Sequence, residues 1–233
     1  MATYGILRRH LLEGWLPHLR VSVVLVVLTL PFSLSVQAQN TPEPIPGVHI
    51  TNGSTPWALD VYDGKQQLVP IHHTNVEVNN HKGANVAGSL AGSVFYKPKF
   101  TTEISGVHAR VALHSDKPVF YVHVMDDPGG DSDVPAANWA IVRATINKDR
   151  RVLAQVNFTQ LTGNAKRNDS QVDATIERLS DGWFKIVPKD PLSPGEYALQ
   201  PVLKAANTFS TMVFDFTIDP KAPNSPEALS PSS

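Results

Sequence analysis

The chain has 233 residues, with 20 basic and 21 acidic side chains and no cysteine. So even a charge balance excludes a polyanion-binding surface, and nucleic acid is not an expected partner. The missing cysteine excludes disulfides, thiol nucleophiles, thiolate metal sites and a lipid anchor on cysteine, so stability has to come from a packed core.

At the N-terminus Arg8, Arg9 and Arg20 precede an apolar run from Val21 to Val36, which ends in Val36-Gln37-Ala38. A basic stretch, a short apolar stretch and a small residue are the parts of a secretory signal. As a helix the run from Val21 to Val36 would span roughly 24 Å, short of the roughly 30 Å hydrocarbon core. Cleavage near Ala38-Gln39 is therefore expected, with a periplasmic or secreted product and no stable membrane span. Residues 1–38 hold Arg8, Arg9, Arg20 and Glu13, so 20 − 3 = 17 basic and 21 − 1 = 20 acidic residues remain, a net charge of −3.

Residues 39–47 are proline-spaced and read as a linker. Trp57–Tyr62 and Gln67–Ile71 flank Asp63-Gly64, a hairpin signal because both turn residues tolerate positive φ. The stretch 79–90 is polar and glycine-rich, and Gly83–Ser89 reads as a glycine-spaced loop. It resembles a phosphate loop but lacks the lysine that reaches the phosphates.

Further on the apolar period is two. Val107, Ala109, Val111 and Leu113 alternate with polar or small residues; so do Phe120, Val122 and Val124, and again Met212, Phe214, Phe216 and Ile218. Such alternation predicts strands with one buried face and one wetter face. If Ser115–Pro118 makes a tight hairpin, His114 opposes Val119, Arg110 opposes His123, and His108 lies diagonal to His123. Turn signals also stand at Asp181-Gly182 and Ser193-Pro194-Gly195, a recurrence typical of antiparallel sandwiches and barrels.

Near the C-terminus, Leu192-Ser193-Pro194-Gly195-Glu196-Tyr197-Ala198-Leu199 sets a tyrosine just after a tight corner, and a final strand over 209–218 ends at Asp219-Pro220. This ending resembles that of exported bacterial immunoglobulin-like β-sandwich proteins of unknown function, in which such a tyrosine returns its hydroxyl to the corner backbone. The resemblance covers residues 101–219 and implies a fold, with no activity attached. The expected organisation is a signal over 1–38, a linker over 39–47 and an antiparallel β-sandwich over 48–219. Within the sandwich, 48–100 forms an N-terminal β extension to an immunoglobulin-like core over 101–219. Residues 220–233, rich in proline and serine, are expected to be a disordered tail.

Candidate chemistry is sparse. There is no Gly-x-Ser-x-Gly elbow, no His-Glu-x-x-His and no evident pair of catalytic carboxylates. Asp126, Asp127, Asp131 and Asp133 place four carboxylates in eight residues, and such a loop could supply the oxygen ligands that calcium takes. The spacing is not that of an EF-hand, and a solvated acidic loop is the plain alternative. Beyond residue 38, seven of the nine histidines (His49, His72, His73, His81, His108, His114 and His123) could serve copper or zinc. Surface and cross-strand polar roles are the simpler expectation. Trp57, Trp139 and Trp183 could form a sugar-stacking platform, yet each stands where a strand would bury it. The expected function is a non-catalytic exported module that binds an envelope or extracellular macromolecule or serves a structural role, with no cofactor. A module binding metal or a small ligand comes second, and an envelope hydrolase with dispersed carboxylates third.

Overall fold

A computed structural model describes residues 42–90, 97–124, 139–158, 165–202 and 211–231. The chain divides into two units, Met1–Ala38 and Gln39–Ser233, and all described residues belong to the second. They form fifteen strands and one helix. The all-β antiparallel class expected from the period-two runs is what the chain adopts.

Two sheets make the sandwich. The first has five strands in the order β12 (Ala174–Arg178), β13 (Trp183–Pro188), β7 (Val119–His123), β1 (Trp57–Tyr62) and β2 (Lys65–Pro70). The second runs β3 (His73–Thr74), β15 (Val213–Ile218), β14 (Gly195–Pro201), β8 (Trp139–Arg143), β11 (Ala165–Val172), β10 (Arg150–Phe158), β5 (Lys99–Ser105) and β4 (Glu77–Asn79). To it are added β9 (Thr145–Asn147) beside β10 and β6 (Ala112–Leu113) beside β15, the latter the one parallel pairing among the described residues. Strand β11 joins the halves of this sheet, its start pairing with β10 and its end with β8.

The main core lies between the sheets. Ala58, Val69, Phe120, Val122, Phe184 and Ile186 of the first sheet meet Ile141, Tyr197, Leu199, Phe214, Phe216 and Ile218 of the second. Each large side chain so buried contributes about 1.5–3 kcal/mol of transfer free energy. The inward residues of β7 and β15 are the ones their alternation marks as apolar. Asp63 and Gly64 both take positive φ, 48° and 73°, and close the β1–β2 hairpin with Tyr62 opposite Lys65. At the Asp181-Gly182 turn a Cβ on Gly182 would stand 2.6 Å from the Val124 carbonyl oxygen, so only glycine fits.

Several expectations need correction. Residues 42–47, the described part of the expected linker over 39–47, pack on the folded unit together with the residues that follow. Ile45, Val48 and Ile50 are buried with Trp57, Leu68, Tyr121 and Trp183 on the outer face of the five-stranded sheet, whose apolar side chains need a cover. Residues 220–231 are no disordered tail. Ala228 and Leu229 pack on the core clusters, and Leu68 and Leu229 exchange backbone hydrogen bonds of 2.8 Å each way. The β1–β2 hairpin is no extension, since β1 lies between β2 and β7 inside the sheet. Of the run Val107–Leu113 only Ala112–Leu113 is strand, because the backbone before it is held by side chains. The Ala109 N–H, for example, donates to Glu196 Oε2 at 2.9 Å. Ser115–Pro118 is no hairpin either. β6 pairs in one sheet and β7 in the other, and the crossover is fixed by Asp60, whose Oδ1 accepts the N–H of His114 and of Ser115 at 2.9 and 2.7 Å.

Tyr197 donates its hydroxyl to the Ser193 carbonyl at 2.7 Å, the corner bond expected of it. Burial holds the Tyr121 phenol above the ordinary tyrosine range, reinforced by Glu177. Burial does the same for Tyr197, against a smaller opposing effect of Arg143. Both groups favour the neutral phenol in the folded chain. Their stabilisation is therefore complete below about pH 10, where free tyrosine is neutral, and is lost as pH rises through the folded values. Chemical unfolding at pH 9 and pH 11 should show a lower midpoint at the higher pH, with two phenols lagging in the absorbance titration at 295 nm. All phenols titrating together would refute this.

Candidate functional site

Among the described residues, a cleft of about 750 Å³ lies on the ten-stranded sheet. It is built from β5, β8, β9, β10, β11 and the helix α1 (Lys82–Leu90). Two local features shape it. Leu153 is an extra residue in β10 opposite β5, a bulge that bends the strand where it lines the cleft. The helix occupies a stretch expected to be a loop, and the reason is long-range. Asn85 donates from Nδ2 to the carbonyls of Asn80 and Lys99, at 2.6 and 3.0 Å, and accepts the Lys99 N–H at 3.1 Å. The Asn79 side chain accepts the His81 N–H at 2.9 Å, just ahead of the first turn. One carboxamide thus sutures the helix to β5.

The lining is hydrophilic. Asn85, Asn147, Gln155 and Asn168 supply amides, Thr101, Thr145 and Ser170 hydroxyls, and Lys99, Arg143 and Asp169 fixed charges. Asn147, Asn168, Thr145 and Ser170 are exposed and make no side-chain hydrogen bond among the described residues. His81 sits at the cleft wall with Nε2 2.8 Å from Thr101 Oγ1, which in turn donates to buried Glu103. That order gives His81 the Nε2–H tautomer. Ala84, Ile146, Val152, Leu153 and Ala154 fill the lining between these polar groups.

Two buried polar nodes lie elsewhere. Asp60 is fully buried on the inward face of β1. Its Oδ2 accepts from Gln67 Nε2 at 3.2 Å and lies 2.8 Å from His114 Nδ1. His114 Nε2 faces the Ala222 carbonyl at 3.1 Å, so both ring nitrogens face oxygen atoms. In the second node Arg151 Nη1 lies 3.1 Å from Glu196 Oε2 and 2.7 Å from Asp215 Oδ2, with all three side chains largely buried. Glu196 also accepts from Thr217 Oγ1 at 2.9 Å and meets His108 Nδ1 at 3.0 Å. These carboxylates converge in space without sequence proximity, but Arg151 occupies both.

The sequence-based candidates are dispersed. Asp126, Asp127, Asp131 and Asp133 lie outside the described residues. Among the described residues no group of three or more histidines and carboxylates is arranged to hold a metal ion. His72 meets Glu227, His73 the Thr211 carbonyl and His123 the Asp181 carbonyl; His108 and His123 belong to separate networks. Trp57, Trp139 and Trp183 are 5, 6 and 3% exposed, so they are core and not a stacking platform. The cleft was missed because its residues are common polar types from six elements, with no local motif to reveal them.

Compared with known proteins, the chain matches no family model, no curated protein and no solved structure.

Proposed function

We propose that this chain is an exported, non-catalytic β-sandwich module, immunoglobulin-like over 101–219, that holds a hydroxyl-rich glycan segment of the cell envelope in its polar cleft. The observation that carries this reading is the lining itself. Four carboxamides and three hydroxyls, several without internal partners, offer donors and acceptors side by side over about 750 Å³, a volume within the range of ligand sites. Sugar hydroxyls are matched to such paired donor–acceptor groups, and with no aromatic ring beyond His81 in the lining, recognition would rest on hydrogen bonds in place of stacking. The signal-like N-terminal segment supports an extracytoplasmic role.

The test is calorimetric titration with soluble oligosaccharides released from envelope polysaccharides. Saturable binding is expected. Asn168→Ala and Gln155→Ala should each weaken it about tenfold, the loss of roughly one well-made hydrogen bond. Absence of binding to every oligosaccharide, or binding indifferent to both substitutions, would remove the glycan reading.

A further inference from the structure

We propose that the outer edge of β2 is a docking site for an extended chain segment, and that its partner is a second copy of this protein, which lays its own residues 222–229 there in exchange.

Strand β2 ends the five-stranded sheet, and an uncovered edge is a template for another strand. Within one chain the C-terminal strap covers it with one reciprocal backbone pair, Leu68 with Leu229. Three side-chain clasps accompany that pair. His114 Nε2 holds the Ala222 carbonyl at 3.1 Å, Gln67 Nε2 donates to Asn224 Oδ1 at 2.8 Å, and His72 Nε2 lies 2.9 Å from Glu227 Oε2. The chemistry these groups select is a carbonyl, an amide oxygen, a carboxylate and a leucine at fixed spacing. Residues 222–229 of a second copy present that series unchanged, so exchange conserves every contact, which makes it a low-cost route to a dimer.

The connection permits it. β15 ends at Ile218 in the ten-stranded sheet, and the strap is joined to it through a turn closed by the Ala222 N–H on the Asp219 carbonyl at 3.2 Å and the Lys221 N–H on Asp219 Oδ1 at 2.9 Å. Opening that turn frees the strap. Pro220, Pro223 and Pro226 limit the conformations open to the strap once that turn opens. Its own structure is a local turn, with the Ala228 N–H on the Ser225 carbonyl at 3.2 Å.

Because the chain has no cysteine, introduced thiols report without background. One full-length sample carries Gln67→Cys and another Asn224→Cys; they are mixed at increasing concentration and oxidised. A covalent heterodimer several-fold in excess of either homodimer, rising with concentration, is expected. The chain carrying both substitutions should close on itself when dilute and link in pairs when concentrated. Heterodimer no more abundant than the homodimers, with the doubly substituted chain closing only within itself, would overturn exchange. No crosslink in any sample would overturn the docking of the strap on β2 altogether. The more exposed pair His72→Cys and Glu227→Cys repeats the experiment if the first substitutions impair folding.

Discussion

Asp60→Ala is expected to destabilise the chain by about 3–5 kcal/mol, the scale of leaving several buried donors without their acceptor. The carboxylate is fully buried and is met by four donors: the His114 and Ser115 N–H groups, Gln67 Nε2 and His114 Nδ1. Alanine leaves three of them without this acceptor, since Gln67 Nε2 keeps Asn224 Oδ1, and it releases the crossover between the sheets as well as the His114 contact to the strap. For a unit of this size the melting temperature should fall by roughly 10 °C or more. Asp60→Asn should cost less. Its carboxamide oxygen keeps the two backbone donors, while its N–H can face Nδ1 of a neutral His114 that still donates from Nε2. Urea unfolding of the three proteins decides it. A cost below about 1 kcal/mol for Asp60→Ala would show that the node is solvated and carries no such role.

Arg151→Met should be comparably severe, about 3–5 kcal/mol, because it strands two carboxylates at once. Arg151 is the cation between Glu196 and Asp215, and its Nε donates to the Gly106 carbonyl at 3.1 Å. The informative comparison is the triple change Arg151→Met, Glu196→Gln and Asp215→Asn. Once the charges are gone the desolvation cost goes with them, and at least half of the lost stability should return. Residues in one network couple, so additive losses across the series would contradict a shared ion network.

The parts of this fold legible in the sequence are those decided locally. Phe120 and Val122, or Phe214, Phe216 and Ile218, show their buried face through alternation alone. Asp63-Gly64 shows its turn because few residue pairs accept two positive φ values, and Tyr197 shows its corner bond through its distance from Ser193. What stayed hidden depends on partners far along the chain. Ile45, Val48 and Ile50 are spaced by prolines and a glycine and look like a linker until a sheet face is there to receive them. The helix at Lys82–Leu90 has weak intrinsic propensity and rests on Asn85 reaching Lys99. Asp60 shares a face of β1 with Ala58, and that face is buried because the second sheet packs on it, which no local pattern shows. The cleft was illegible for a related reason: its groups are individually unremarkable, and convergence is a property of the sheet.

The cover over the outer face of the five-stranded sheet also has a temporal side. Ile45, Val48 and Ile50 come from the start of the folded unit and Leu229 from its end, and they share one cluster with Trp57, Leu68, Tyr121 and Trp183. Without Leu229 this layer lacks one of its covering side chains, and β2 keeps an open edge at Leu68. Closure of the loop between the two ends is a slow, high-contact-order step.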